Sequence, residues 1–154
     1  MGYQYLDHIT WADTAFEARN KTLEGLFQDA AQATLSVMLQ EPERLQALET
    51  RLIDLTQDNS DPDKAIGELL HEFLEKLLFH KDADQLLLRV DKLQVEKKSP
   101  SQWHLRAHLV GERIDPEKQE LLTDVKAVTQ HQFEVKQLVT NGVSEWMATV
   151  VLDV

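Results

Sequence analysis

Two segments of the chain carry apolar residues at three- and four-residue steps, the spacing of one helix face. The first, KTLEGLFQDAAQATLSVML, starts beside Thr22, a good N-cap residue, and ends shortly before Pro42. The second, DPDKAIGELLHEFLEKLLFHK, is entered through Asp61 and Pro62 and carries basic side chains near its end. The pattern predicts two amphipathic helices, each with one apolar stripe that packs on a flat surface.

The rest of the chain consists of short alternating or β-branched runs separated by turn sequences. KKSPSQ, ERIDPEKQ and TNGVS mark turns, and Asn141 followed by Gly142 is typical of a tight hairpin. We therefore expect an α+β fold, with the two helices packed on an antiparallel or mixed sheet of about six to seven strands. The predicted strands are 3–7, 13–19, 45–55, 86–95, 102–110, 125–135 and 146–153.

Length and composition limit the classes of protein. The 154 residues contain no linker-like stretch and 42% are hydrophobic, so we expect a single domain over 1–154. The absence of cysteine excludes disulfides, zinc fingers, iron–sulfur sites and a cysteine nucleophile. The net charge of −11 opposes binding to phosphate backbones, so we expect little direct nucleic-acid binding. A hard cation or a basic protein partner fits this charge better.

Targeting and catalytic motifs are missing from the sequence. The N-terminal stretch lacks a basic region followed by an apolar run, and no run is long enough to span a bilayer, so we expect a cytoplasmic protein without a membrane anchor. There is no G-x-S-x-G, no phosphate-binding G-x-x-x-x-G-K-[ST], no G-x-G-x-x-G and no H-E-x-x-H. Nothing in the chain therefore predicts an enzyme.

The sequence ends in the strand-like segment SEWMATVVLDV. Strand alternation places Asp153 on the side opposite to Trp146 and Leu152. Its carboxylate and the α-carboxylate of Val154 are two anions that repel each other unless a cation lies between them. Oxygen ligands of this kind suit Ca²⁺, Mg²⁺ or Mn²⁺. The alternative is an exposed aspartate at a loose chain end.

A second group of ligand-type side chains lies in DHITWAD, near the N-terminus. It contains Asp7, His8, Thr10 and Asp13 within seven residues. Alternation in the strand that follows places Asp13 on the side opposite to Phe16. An aspartate at a strand entrance is also common as a turn residue, so the spacing alone leaves a structural role open.

A third group lies in VKAVTQHQFEV. His131 falls within an apolar row of the predicted strand 125–135, where a hydrogen-bonded core imidazole is a commoner outcome than a ligand or base. Lys126 falls on the other side of that strand, where it would ordinarily form a surface cross-strand pair.

These three groups occur together, and in this order, in the archease family, which the chain resembles over essentially its whole length. The segments that carry the resemblance are YLDHITWAD, KTLEGLFQDAAQATLSVM, ELLHEFLEKLLF, LRAHLVGERIDPEKQELLTDVKAVTQHQFEV and WMATVVLDV. The most specific parts are Gly111 and Glu112, leading through Asp115 to VKAVT and His131, and the closing aspartate followed by a branched aliphatic residue.

The resemblance implies a protein cofactor rather than an enzyme. Members of the family assist RtcB-type RNA ligases, which use a metal and GTP in tRNA splicing and RNA repair, by promoting guanylylation of the ligase and its multiple turnover. The divalent ion, calcium among the candidates, would be held by positions that correspond here to Asp13, Asp153 and the terminal carboxylate of Val154. Surrounding or partner-contact roles would fall to Asp7, His8, Lys126 and His131.

The sequence departs from the family pattern in three places. DHITWAD is two residues longer than the usual DHTAD, and Gln119 and Gln130 stand where the family usually has histidine and tyrosine. Roles that depend on those two side chains are not carried over. Two alternatives of other classes remain open at this point: a stand-alone divalent-metal-dependent phosphoesterase, and a metal-free acidic domain that binds a basic partner directly.

Overall fold

A computed structural model describes residues 1–6 and 13–154. Within these ranges the chain forms two α-helices and eight strands, which confirms the α+β fold. The elements, in chain order, are β1 (Gly2–Leu6), β2 (Asp13–Asn20), α1 (Leu23–Met38), a 3-10 turn (Pro42–Arg44), β3 (Glu49–Asp58), α2 (Pro62–Asp84), β4 (Leu86–Ser99), β5 (Gln102–Arg113), β6 (Ala127–Val128), β7 (Glu134–Thr140) and β8 (Val143–Asp153).

Both helices begin where their capping residues predict. The Thr22 hydroxyl accepts a hydrogen bond from the Gly25 N–H at 3.0 Å, and the Asp61 carboxylate accepts one from the Asp63 N–H at 3.0 Å. Both helices contact strands of two separate sheets, so they form a middle layer between them. Over residues 1–6 and 13–154, no helix is both long enough and apolar enough to cross a membrane.

The strands form two antiparallel sheets instead of one. In the larger sheet the order is β1-β2-β8-β6, and β7 also pairs with β8. The smaller sheet has the order β3-β5-β4. β8 is therefore the central strand of the larger sheet, with β2 along one edge and β7 followed by β6 along the other.

Three predicted strands are longer in the structure, which extends 86–95 to Ser99, 102–110 to Arg113 and 146–153 back to Val143, and two others need a larger correction. The predicted strand 45–55 begins at Glu49, because residues 42–44 form a 3-10 turn and the buried Leu45 closes it. The predicted strand 125–135 is divided into β6 and β7. Gln132 lies between them with a left-handed φ of 57°, which reverses the chain and ends the alternation.

Candidate metal centre

Asp13 and Asp153 are directly opposite each other in the larger sheet. The ladder between β2 and β8 runs in register from the pair Asp13 and Asp153 to the pair Asn20 and Trp146. Residues opposite each other in an antiparallel ladder have Cα atoms about 4.5–5.5 Å apart and side chains on the same face. The first residue of β2 and the last residue of β8 therefore form an acidic pair at one end of the sheet, although they lie 140 positions apart in the chain.

The core determines which face this pair occupies. Phe16 on β2 and Val150 and Leu152 on β8 are fully buried and belong to the hydrophobic core that contains the helices. Because Asp13 and Asp153 have the opposite parity, they project from the other face of the sheet. Both are half-buried.

Val154 lies next to this pair and is held there by its side chain. It is half-buried and packs against the hydrophobic core, on the same side as Leu152. Packing of this side chain fixes the main chain that follows Asp153, so the backbone oxygens of Val154 stay at the same end of the sheet as the two aspartates.

The second edge of β8 is covered by β6 at this position. Ala127 pairs with Asp153, and the Lys126 N–H donates to the Asp153 carbonyl oxygen at 2.8 Å. The main chain of Asp153 is thus held from both sides, by β2 and by β6. The Lys126 side chain is exposed beside this end of the sheet.

Of three other predicted site residues, the structure describes His131 alone. Asp7 and His8 lie outside the described residues. The placement of His131 in an apolar row is wrong: it is exposed in the turn between β6 and β7, because the chain reverses at Gln132.

The chemistry of this end of the sheet fits a hard divalent cation. Two carboxylates opposite each other on one face repel, and a cation between them would remove that repulsion while accepting their oxygens as ligands. Within residues 1–6 and 13–154, no three histidine, aspartate or glutamate side chains form a metal-binding group. Among the described residues, the oxygens that could add to Asp13 and Asp153 at this end of the sheet include the main-chain oxygens of Val154.

Glu112 of the GE pair is a buried carboxylate with a different environment. It accepts hydrogen bonds from the Gln46 N–H at 3.1 Å, the Lys118 ammonium at 3.2 Å and the Gln119 amide at 2.9 Å. Burial alone would raise the pKa of Glu112, but these three donors outweigh it and hold the pKa below its ordinary value. Glu112 thus ties two loops to the end of β5.

Position 111, next to Glu112, is occupied by glycine for a steric reason. A Cβ atom at this position would collide with the Leu87 carbonyl oxygen of the adjacent strand. Gln119, where the family usually has histidine, binds both Glu112 and the Arg113 carbonyl oxygen at 2.9 Å. In this chain the GE pair and Gln119 therefore have structural roles at the end of the smaller sheet.

Comparison with known proteins identifies relatives along the whole chain. Residues 3–154 match the family model described as Archease protein family (MTH1598/TM1083). A protein archease of Methanosarcina barkeri is 30% identical over 99% of this chain and 95% of its own length. One of Pyrococcus furiosus is 31% identical over 99% of this chain and 98% of its own length.

A solved structure has the same fold. The solution structure of Methanobacterium thermoautotrophicum protein 1598 superposes with a TM-score of 0.77 and 31% sequence identity, covering 99% of each chain. The similarity therefore extends over both sheets and both helices of the described ranges.

Proposed function

The chain belongs to the archease family, and we propose that it is a metal-binding protein cofactor that activates an RtcB-type, GTP-dependent RNA ligase. In this role it is not itself an enzyme: it promotes guanylylation of the ligase and its multiple turnover during tRNA splicing or RNA repair. The observation that carries the proposal is the register of the larger sheet, in which Asp13 and Asp153 are opposite each other.

The proposed ion ligands are the carboxylates of Asp13 and Asp153 and the terminal carboxylate of Val154. All three supply oxygen only, which favours Ca²⁺, Mg²⁺ or Mn²⁺ over ions that prefer nitrogen or sulfur. The core packing of Val154 and the pairing of Asp153 with both β2 and β6 support this assignment, because they limit how far these oxygens can move. When bound, the ion would supply positive charge to phosphate oxygens.

The charge of the chain supports a protein partner that holds RNA and nucleotides. A ligase that binds RNA presents positive charge, and a chain with a net charge of −11 is attracted to it. Such attraction raises the rate of encounter more than the final affinity. We propose that the end of the sheet with Asp13 and Asp153 then contacts the ligase near its nucleotide site.

A guanylylation assay tests the proposal. The RtcB-type ligase of the same organism is incubated with GTP and divalent ion, with or without the protein. We expect the wild type to accelerate ligase guanylylation, and Asp153→Asn or an extension of several residues after Val154 to reduce the acceleration by about tenfold or more. The matched control is Glu145→Gln, an acidic residue on β8 that binds Arg19 at the far end of the ladder.

The outcomes separate the parts of the proposal. If the wild type does not accelerate guanylylation, the ligase role is wrong. If Asp153→Asn accelerates it fully, the aspartate pair has no part in activation. Titration calorimetry with Ca²⁺, Mg²⁺ and Mn²⁺ is run in parallel, because activation by a wild type that binds none of these ions would indicate a metal-free acidic contact instead.

A further inference from the structure

Among the described residues, the outer edge of β6 is paired with side chains of α2 and not with another strand. In a β-strand, the N–H and C=O of one residue point toward the same neighbour. For Val128, the N–H donates to a carboxylate oxygen of Glu75 at 3.0 Å, and the C=O accepts from the His71 ring nitrogen Nε2 at 2.7 Å. The two side chains thus supply the acceptor and the donor that a neighbouring strand would otherwise provide.

The spacing of the two side chains on α2 makes this pairing possible. His71 and Glu75 are one helical turn apart and lie on the same face, so they reach two groups of the same residue. The His71 ring is also held by Phe133, with ring centroids 5.2 Å apart in an edge-to-face arrangement. The imidazole is therefore oriented by two contacts on opposite sides of the turn between β6 and β7.

β6 connects the contacts with α2 to Asp153, one member of the acidic pair. It is only two residues long, and its segment binds β8 through the Lys126 N–H to Asp153 and the Thr129 N–H to the Val151 carbonyl oxygen at 2.9 Å. Such a short strand has few hydrogen bonds to keep it in the sheet. The contacts with α2 therefore contribute a large share of what holds β6 against Asp153.

We infer that His71 and Glu75 are positioning residues for Asp153: they keep β6 in the sheet, and β6 fixes the main chain of Asp153 on the side opposite to Asp13. The inference rests on the proposed function insofar as Asp153 is an ion ligand. Neither His71 nor Glu75 is one of the proposed ion ligands. Their effect on the ion passes through Val128, Ala127 and the backbone of Asp153.

The test uses apolar and conservative variants of the same two residues. His71→Leu combined with Glu75→Leu removes both contacts with Val128, whereas His71→Gln combined with Glu75→Gln keeps one donor and one acceptor. Glu72→Leu is the matched control, because Glu72 lies on the same helix and accepts an equally short bond from Gln57 of the smaller sheet at 2.6 Å.

Two measurements are made on each purified variant. Amide hydrogen exchange at Lys126 and Thr129 reports whether β6 stays paired, and it needs no ion. Calorimetric titration with divalent ion reports whether Asp153 remains in place to bind it. We expect the double leucine variant to exchange these amides about tenfold faster and to bind the ion about three- to tenfold more weakly than the wild type. The double glutamine variant and Glu72→Leu stay close to the wild type in both.

Protection of Lys126 and Thr129 that survives in the double leucine variant would overturn the inference. So would equal weakening of ion binding by Glu72→Leu, because that would indicate a general loss of stability. Thermal unfolding of all variants measures that loss directly. If the wild type binds no ion, the metal site is wrong, and the exchange measurement alone decides whether His71 and Glu75 position Asp153.

Discussion

Glu112 and the pair of Asp13 and Asp153 are two carboxylate sites at the ends of two sheets, and they differ in the charge that lies opposite each carboxylate. Glu112 receives donors from a backbone N–H, a lysine and a glutamine of its own chain. Asp13 and Asp153 instead have each other as cross-strand neighbours. The donors around Glu112 stabilise the fold directly, whereas two carboxylates opposite each other repel, and a cation that binds both reduces that repulsion.

The largest expected effect is at Glu112. Glu112→Leu removes the acceptor of the Gln46 N–H and one of the two acceptors of the Gln119 amide, so we expect the free energy of unfolding to fall by about 2–3 kcal/mol. Urea unfolding measures this change. Ion affinity measured under folding conditions should stay within about twofold of the wild type, because Glu112 lies in the other sheet.

The control for Glu112→Leu is Glu117→Leu, an exposed residue of the same loop that should change stability by less than about 0.5 kcal/mol. A loss of ion affinity in Glu112→Leu comparable to its loss of stability would show that the two carboxylate sites are coupled, and the contrast between them would fail.

Asp153→Asn should have the opposite pair of effects. It removes one charge from the acidic pair, so we expect divalent-ion affinity to fall by about a hundredfold, or about 2.7 kcal/mol. The unfolding free energy without ion should not fall, because repulsion between neighbouring like charges is relieved. Calorimetry and urea unfolding in the presence of a chelator measure the two quantities. A clear loss of stability in the chelator would contradict the distinction between the sites.

The sequence predicts where the helices begin and which face each aspartate occupies, but not which strands pair. Helix caps at Thr22 and Asp61 predict where α1 and α2 begin, and strand parity predicts that Asp13 and Asp153 project away from the core. Parity does not reveal which strands pair, so the register of β2 with β8 is not derivable from it. Proximity of the two aspartates follows from the family resemblance alone.

Long-range side-chain contacts cannot be predicted from the sequence pattern for the same reason. His71 follows two buried leucines and resembles a residue at the rim of the core, yet its ring nitrogen binds a carbonyl oxygen 57 positions away in the chain. The alternation through 125–135 also hides the reversal at Gln132, because a residue of that type gives no local signal for a positive φ. Tertiary pairing decides both features.

A smaller effect is expected when a positively charged side chain is introduced beside Asp13 and Asp153. Ala127 pairs with Asp153 on the edge opposite to Asp13, so Ala127→Arg would place a guanidinium on the same face as both carboxylates. We expect divalent-ion affinity to fall by about tenfold and the ion-free unfolding free energy to rise by about 0.5 kcal/mol. Ala127→Gln is the control of similar size without charge, and an equal loss of affinity in that variant would indicate a steric cause.

The smallest expected effect is the change with pH in the contribution of Glu112 to stability. Because the pKa of Glu112 is lowered in the folded protein, its contribution to stability is complete above its unfolded pKa of about 4.3 and is lost as the pH falls through the folded pKa. Glu112→Gln cannot titrate, so the difference in unfolding free energy between wild type and variant should shrink steadily below about pH 4. Urea unfolding at a series of pH values measures this difference. A difference that stays constant from neutral to strongly acidic pH would show that the three donors do not favour the ionised form, and that Glu112 is held by packing rather than by its charge.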